Sequence, residues 1–190
     1  MGDSTDLLVW LDMEMTGLNP ATCVPMEVAV IVTDGQLVEI ESAQWLVQTP
    51  VNKIEEMDPF VEKMHTDNGL TERVLEAGRP LEEVDHDLVE VIGRRYPDGR
   101  AILAGNSIHQ DRRFIRRYFP RLEKILHYRM VDVSSIKEIA ERWYGKDAGY
   151  DKPDSPHTAL ADTRASIEEL RWYRERYFRR RDAVAQDRGE

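Results

Sequence analysis

The sequence predicts a single α/β domain built on a mixed five-stranded sheet flanked by helices. Its length of 190 residues and its 41% content of hydrophobic residues suit one core of ordinary size. Three strand-like segments open the chain, and helical and strand-like segments then alternate in the order β-β-β-α-β-α-β-α. A meander followed by such alternation is typical of a mixed sheet with helices packed on its faces.

Apolar runs and one turn signal define the predicted meander. Residues 7–11 form a compact apolar run, which favours a central buried strand, and residues 27–33 form a second. The pair Asp34-Gly35 is a hairpin signal, so residues 37–47 are predicted to be a third, antiparallel strand.

Periodicity and capping residues define the remaining elements. Apolar residues at helical spacing predict a helix at residues 80–96, and Ser134 is a favourable N-cap for a later one. The other predicted elements are strands at 101–104 and 128–133 and helices at 112–119, 134–144 and from His157 to about residue 179. Residues 145–156, rich in Gly, Pro and Asp, are a predicted loop.

Charge and residue content narrow the function classes. A net charge of −10 argues against binding of long duplex nucleic acid, which needs a basic surface, but is compatible with a short nucleic acid held at a metal site. No apolar run is long enough to span a bilayer, and the first residues lack the features of a secretory signal. The single cysteine, Cys23, is interpreted as a small packed residue, and we expect a cytoplasmic protein.

Two acidic residues stand at the end of the first predicted strand. Asp12 and Glu14 are two positions apart, so a strand directs both carboxylates to one face. Such neighbours repel each other and resist desolvation, and a divalent cation compensates both effects. The alternative interpretation is an ordinary turn where the strand meets water, and the motif alone does not separate the two.

Three further candidates lie later in the chain. Asp111 follows the strand at 101–104, where α/β sheets usually place their sites, although alone it also fits a solvated aspartate at a helix start. Asp162 lies in the first turns of the last helix, and His157 lies at the entry to that helix. Each of these residues, taken separately, has little predictive value.

Together the candidates indicate phosphodiester hydrolysis. Four carboxylates that converge on one point supply the hard oxygen ligands that Mg²⁺ or Mn²⁺ prefer. Two such ions stabilise both the attacking and the leaving oxygen of a phosphodiester. A neutral His157 beside them can accept the proton of the attacking water, since nearby cations disfavour imidazolium.

The ordered set Asp12-x-Glu14, Asp111 and His157-x₄-Asp162 resembles the exonuclease motifs of the histidine-bearing branch of the DEDD superfamily. Longer blocks are similar to the oligoribonucleases of that branch: residues 10–18, 105–114 and 128–134. The resemblance runs in the family's order from about residue 7 to residue 172 and implies a ribonuclease-H-like fold. The exonuclease domain is therefore predicted at 7–172, between a short tail at 1–6 and the helix end and polar tail at 173–190.

The resemblance also implies an activity and its residues. It implies a 3′→5′ exoribonuclease that releases 5′-mononucleotides from single-stranded RNA of about two to five nucleotides. By the resemblance, two Mg²⁺ or Mn²⁺ ions are bound by Asp12, Glu14, Asp111 and Asp162, and His157 is the general base.

A substrate pocket follows from the same resemblance. Leu18 matches a residue wedged between two bases, and Phe60 matches an aromatic that stacks on a base, often tryptophan in the family. His65 and Ser107 match further pocket positions. The group that caps the 5′ phosphate, partly from the partner subunit of a homodimer, corresponds to Tyr128, Arg129 and Ser134. Without the resemblance, Leu18 and Phe60 fit ordinary packing and Tyr128 an ordinary strand aromatic.

Two rival functions and one ambiguous feature remain. The same five catalytic residues suit an exonuclease that proofreads DNA or trims structured RNA, but the pocket positions favour dinucleotide-sized substrates. A catalytically silent sensor of short nucleotides is disfavoured because all five residues are present. Arginine clusters at 112–117 and 171–181 can reach a phosphate backbone, but solvated faces and ion pairs are the preferred interpretation.

Overall fold

A computed structural model describes residues 6–153 and 157–178, so most of the two predicted tails, 1–5 and 179–190, lies outside the described residues. The strands are β1 (Leu8–Met15), β2 (Pro25–Thr33), β3 (Glu39–Leu46), β4 (Ala101–Gly105) and β5 (Leu126–Asp132). They form one sheet in the order β3-β2-β1-β4-β5. The pairs β1–β2 and β2–β3 are antiparallel, and β1–β4 and β4–β5 are parallel. The predicted mixed five-stranded sheet is confirmed.

Helices connect the strands and cover both faces of the sheet. They are α1 (Val51–Glu55), α2 (Pro59–Asp67), α3 (Leu70–Ala77), α4 (Leu81–Gly93), α5 (His109–Tyr118), α6 (Pro120–Ile125), α7 (Val133–Tyr144) and α8 (Ala159–Tyr177). Helices α1, α2, α3 and α6 were not predicted, because each has nine residues or fewer and therefore too few turns to reveal a helical period. Within residues 6–153 and 157–178, no helix has the length and apolar content required to cross a membrane.

Two cores lie on opposite faces of β1. Val9, Leu11 and Met13 point into the larger core, which includes residues of α4 and α5. Trp10, on the other face, packs with Tyr173 of α8. Because strand side chains alternate, the face that carries Trp10 also carries positions 12 and 14, and both acidic side chains are directed towards α8.

Several predicted boundaries near the site are wrong. β1 continues through positions 12 and 14 instead of ending before them, and α5 begins early enough to include Asp111. The N-cap of α7 is Asp132, not Ser134, because the Asp132 carboxylate accepts a hydrogen bond from the Ser134 N–H at 3.1 Å. Helix α8 begins at Ala159, not at His157, because His157 has a φ of 50°, outside the helical region.

Candidate active site

Three carboxylates meet between β1 and α8. Asp12 and Glu14 project from β1 and Asp162 from the first turn of α8, and each offers an oxygen within 4.8 Å of the other two. The first buried side chains of α8 are small, which allows the helix to approach the sheet closely: Ala159, Thr163 and Ser166. The result is a set of hard oxygen donors that can hold a divalent cation.

Asp111 adjoins this cluster from the first turn of α5. Its Oδ1 accepts a hydrogen bond from the backbone N–H of Met13 at 3.1 Å, so the carboxylate is held against β1 between the two acidic positions of the strand. Asp111 is buried, and its charge contributes to raising the pKa of Asp12. The fold thus brings all four predicted acidic residues together, with three in mutual reach of one ion and Asp111 beside them.

Burial and mutual repulsion raise the pKa values of these acids. Burial is the main cause of the high pKa of Asp12, followed by the charges of Asp111, Glu14 and Asp162. Burial, then the charges of Asp162 and Glu27, raise the pKa of Glu14 to about 7. Burial also raises the pKa of Asp111 to about 7, against the opposing effect of the N–H groups that it accepts from. A nearby cation strongly stabilises the ionised form of such carboxyl groups, so the electrostatics of the cluster fit a divalent metal ion.

A lysine ammonium already lies against the cluster. Lys152 Nζ is 3.1 Å from Asp162 Oδ1, and its charge opposes the rise in the pKa of Asp12. The carboxylates therefore attract positive charge within the chain itself, a second observation that they suit a cation. The sequence analysis missed Lys152, since a lysine in a loop has no local signal of such a contact.

The metal-free protein is expected to lose stability as the pH rises from about 4.5 to about 7. Glu14 and Asp111 have folded-state pKa values of about 7, above those of an unfolded chain, so the folded state binds more protons in this window. Across this pH window, the ionisation of each carboxyl group lowers the free energy of unfolding by up to about 3 kcal/mol. Urea unfolding in EDTA across this range measures the loss, and added Mn²⁺ should reverse it. A stability in EDTA that stays level or increases would contradict this account.

Glu27 sets the position of α8 and was also missed, because the sequence analysis treated it only as the start of a strand. It is fully buried on β2. One of its oxygens accepts from the Arg73 guanidinium at 3.0 Å, and the other accepts from the Ala159 N–H at 2.9 Å. Thr158, at the N-cap position of α8, makes no side-chain cap hydrogen bond. A glutamate from a distant strand therefore caps this helix, and its charge also favours the helix N-terminus.

His157 lies at the entrance of α8 beside an open groove. The groove has a volume of about 640 Å³ and a largely apolar lining, formed by Phe60, Lys63, Met64, Asp67, Asn68, His157 and Thr158. The histidine is exposed, and its carbonyl accepts a hydrogen bond from Asn68 Nδ2 at 2.7 Å. An exposed histidine therefore lines the groove two residues before the helix that carries Asp162, and it is not part of the cluster formed by the three carboxylates.

The predicted base-contacting residues differ in exposure. Phe60 is 76% exposed where α2 begins, and Leu18 is 69% exposed in the loop after β1, so both are free to contact a ligand. His65 is fully buried, with Nε2 3.0 Å from Met15 O and Nδ1 4.0 Å from Glu14 Oε2. Burial lowers the pKa of His65, so it is a neutral group behind Glu14. The role of His65 as a pocket residue stays a prediction.

The residues predicted to cap the 5′ phosphate belong to β5 and α7, and the predicted pocket residue Ser107 follows β4. Ser134 Oγ accepts from the Ser107 N–H at 2.9 Å and lies 3.1 Å from Ser107 Oγ, so these two residues are in direct contact. Tyr128 and Arg129 are exposed on β5, an edge strand, with the guanidinium 5.4 Å from the tyrosine ring centroid. The roles of all four residues stay predictions.

Several arginines of the two clusters are structural. Arg112 is buried and donates to Glu123 at 2.9 Å and to the carbonyl of His127 at 3.0 Å. Arg171 donates to the carbonyl of Leu37 in the β2–β3 turn at 2.7 Å, which attaches α8 to the sheet. These contacts agree with the preferred interpretation, while residues 179–181 lie outside the described residues.

Comparison with known proteins identifies the family. The exonuclease family model RNase_T matches residues 9–170. An oligoribonuclease from Corynebacterium glutamicum (strain R) is 45% identical over 177 residues, which cover 91% of this chain and 80% of the relative. An oligoribonuclease from Marinobacter nauticus is 41% identical over 175 residues, which cover 92% of this chain and 97% of the relative. The chain belongs to the oligoribonuclease family.

Solved structures agree on the fold of this oligoribonuclease-family chain. Exonuclease I from Methylocaldum szegediense matches with a TM-score of 0.67 and 20% identity over 90% of the chain, which spans 41% of that structure's length. The likeness concerns the fold alone, and it confirms the predicted ribonuclease-H-like architecture. Membership of the oligoribonuclease family confirms the predicted DEDD relationship and the prediction that the chain is a nuclease.

Proposed function

We propose that this protein is a 3′→5′ exoribonuclease that hydrolyses very short RNA, dinucleotides above all, to 5′-mononucleotides in the cytoplasm. The observation that carries the proposal is the cluster of Asp12, Glu14 and Asp162, whose helix α8 is preceded by an exposed histidine that lines an open groove. Membership of the oligoribonuclease family supports short RNA as the substrate.

The acidic residues are proposed to hold two divalent cations, Mg²⁺ or Mn²⁺, through Asp12, Glu14, Asp111 and Asp162. When bound, the ions stabilise the charge on the attacking and leaving oxygens of the phosphodiester. The chain supports this role with rigid attachments, because Glu27 fixes the start of α8 and the Met13 N–H holds Asp111. Donors held in this way are preorganised for the reaction.

His157 is proposed to act as the general base. Its imidazole is exposed at the groove and precedes the helix that carries Asp162, so it is accessible to an attacking water. A neutral imidazole takes the water's proton as the bond from the water oxygen to phosphorus forms and the bond from phosphorus to the leaving 3′ oxygen breaks. The leaving oxygen takes up a proton from solvent, and the histidine returns its own proton to solvent, so no net proton stays on the chain.

The groove and the 5′ cap are proposed to select the substrate. Phe60 offers an aromatic surface on which a base of any identity can stack, and Leu18 offers an exposed apolar side chain that can lie wedged between two bases. A cap on the 5′ phosphate blocks longer chains, so the enzyme would select length sterically. The proposed cap residues are Tyr128, Arg129 and Ser134, and His65 and Ser107 are proposed as further residues of the pocket.

The protein is proposed to act as a homodimer in which the partner subunit completes the cap. Exposed apolar side chains on β5 and α7 support this proposal: Tyr128, Ile139, Trp143 and Tyr144. Exposed aromatic and aliphatic side chains such as these are common in protein interfaces. Sedimentation would then give twice the mass of the chain.

The proposed function predicts that the rate of cleavage falls steeply as the RNA becomes longer. Purified protein with Mn²⁺ or Mg²⁺ would be given 5′-labelled RNAs from two to about twenty nucleotides and a DNA dinucleotide, with EDTA as the control. The RNA dinucleotide should react fastest and only with metal. Equal cleavage of the longest RNA or of DNA would make the protein a general or proofreading exonuclease, and no cleavage would favour a silent sensor.

A further inference from the structure

We propose that Asn68 is a positioning residue for His157, and that it acts through the backbone carbonyl of the histidine. The inference rests on the proposed role of His157 as general base. Asn68 lies between α2 and α3 and lines the same groove as the histidine. In the sequence, Asn68 and Gly69 indicate only a turn.

The two ends of the Asn68 amide have different partners. Its Nδ2 donates to the carbonyl of His157 at 2.7 Å, and its Oδ1 accepts from the N–H of Leu70 at 3.0 Å. Because a carbonyl can only accept and an N–H can only donate, these partners define the orientation of the amide. One end therefore attaches Asn68 to the first turn of α3, and the other end holds the histidine.

His157 needs such support because its backbone is strained. Its φ of 50° lies in the left-handed region, which is unfavourable for a residue other than glycine. Among residues 6–153 and 157–178, Asn68 is the one residue that forms a hydrogen bond with His157. Strained conformations persist only where surrounding contacts hold them, and within the part of the chain that the structure describes the asparagine amide is such a contact.

His157 is followed by the start of α8, whose position is held by other contacts. Two residues later, the Ala159 N–H is bonded to the buried Glu27, which also pairs with Arg73. The helix start is therefore fixed independently, and the bond from Asn68 determines how the chain turns at His157. Proton transfer requires heavy atoms within about 3 Å, so a small backbone rotation at this residue is sufficient to displace the imidazole from its position.

Two substitutions separate the positioning role from other effects. Asn68→Asp keeps the size of the side chain and the acceptor for Leu70, but it replaces the donor with an oxygen that repels the His157 carbonyl. Asn68→Ala removes both contacts and adds no charge. In both variants, kcat for an RNA dinucleotide should fall about tenfold. In Asn68→Ala KM should stay within about twofold, because the stacking side chains are unchanged, whereas the charge that Asn68→Asp adds to the groove should also raise KM for the anionic substrate. Asn52→Asp, the same change at an exposed site on α1, should leave kcat unchanged.

A measurement that does not depend on turnover completes the test. The protein has five histidines, and the imidazole NMR signal of His157 can be assigned by its loss in His157→Ala. In Asn68→Asp this signal should shift or broaden, while the signal of the buried His65 stays in place. The melting temperature of Asn68→Asp should match that of the wild type, whereas Asn68→Ala also loses its hydrogen bond to α3 and should melt lower.

The outcomes distinguish this inference from the proposed function. If His157→Ala loses activity but both Asn68 variants retain kcat and an unchanged His157 signal, the positioning role is wrong and the general base stands. A loss of kcat in Asn68→Ala alone, together with a lower melting temperature, also overturns the inference, because it indicates a purely structural contact. If His157→Ala keeps its kcat, the general base is wrong, and the positioning inference fails with it.

Discussion

Replacing Asp162 with alanine is expected to abolish turnover, with kcat at least about a thousandfold lower, while the fold is retained. Asp162 supplies one of three carboxylate oxygens within 4.8 Å of one another, so its loss opens the metal site. The fold should tolerate the change, because the charge of Asp162 raises the pKa values of Asp12 and Glu14 and its removal relieves repulsion. The lost ion pair with Lys152 is partly exposed and contributes little.

The test of Asp162→Ala combines activity with metal binding and stability. Mn²⁺ titration calorimetry should show much weaker binding than in the wild type, and Mn²⁺ should no longer raise the melting temperature. Unfolding in EDTA should be as cooperative as in the wild type. Asp98→Ala, a change at an exposed aspartate before β4, is the matched control and should behave as the wild type. Full activity and unchanged Mn²⁺ affinity in Asp162→Ala would overturn the metal-site assignment.

Replacing His157 with alanine is expected to lower kcat by about a hundredfold or more, with KM changed only a few-fold. The substitution removes the proposed proton acceptor and leaves the carboxylates and the groove aromatic Phe60 in place. The side chain is exposed, so no core volume is lost. The backbone carbonyl that Asn68 holds is also still present, which limits the change to the imidazole.

The His157→Ala variant can be tested by rescue as well as by loss. Because the groove is open, added imidazole should restore part of kcat as its neutral fraction rises with pH. His86→Ala removes an exposed histidine from α4 and serves as the control, with kcat and KM expected to be those of the wild type. An unchanged kcat in His157→Ala would exclude this residue as the general base.

Local sequence patterns were sufficient to predict most of the sheet and two of the four carboxylates of the cluster, Asp12 and Glu14. The apolar run at 27–33 became β2, in which every residue is buried, and Asp34-Gly35 is the turn that leads to β3. The period of two along β1 was enough to place Asp12 and Glu14 on one face. The short helices α1, α2, α3 and α6 were missed because a period needs several turns to be recognisable.

The convergence of the four carboxylates was predicted partly from physics and partly from family resemblance. The spacing of Asp12 and Glu14 and the cost of desolvating them predict that this pair on β1 shares a cation site. The same reasoning does not reach Asp111 and Asp162, which lie far from the pair in the sequence. Their order in the sequence resembles the exonuclease motifs, and the fold then brought them beside β1. Family resemblance alone could not predict the environment of His65, because a motif position does not show that the side chain is fully buried behind Glu14.

Residue types and their order along the chain were thus enough to predict which carboxylates lie together. The contacts that hold those side chains in place were decided by the tertiary structure alone. The bonds Arg73–Glu27, Asn68–His157 and Ala159–Glu27 join residues 46, 89 and 132 positions apart, respectively. Helical and strand periods relate residues that are only a few positions apart. The three bonds form only after distant parts of the chain have packed together, so no local pattern predicts them.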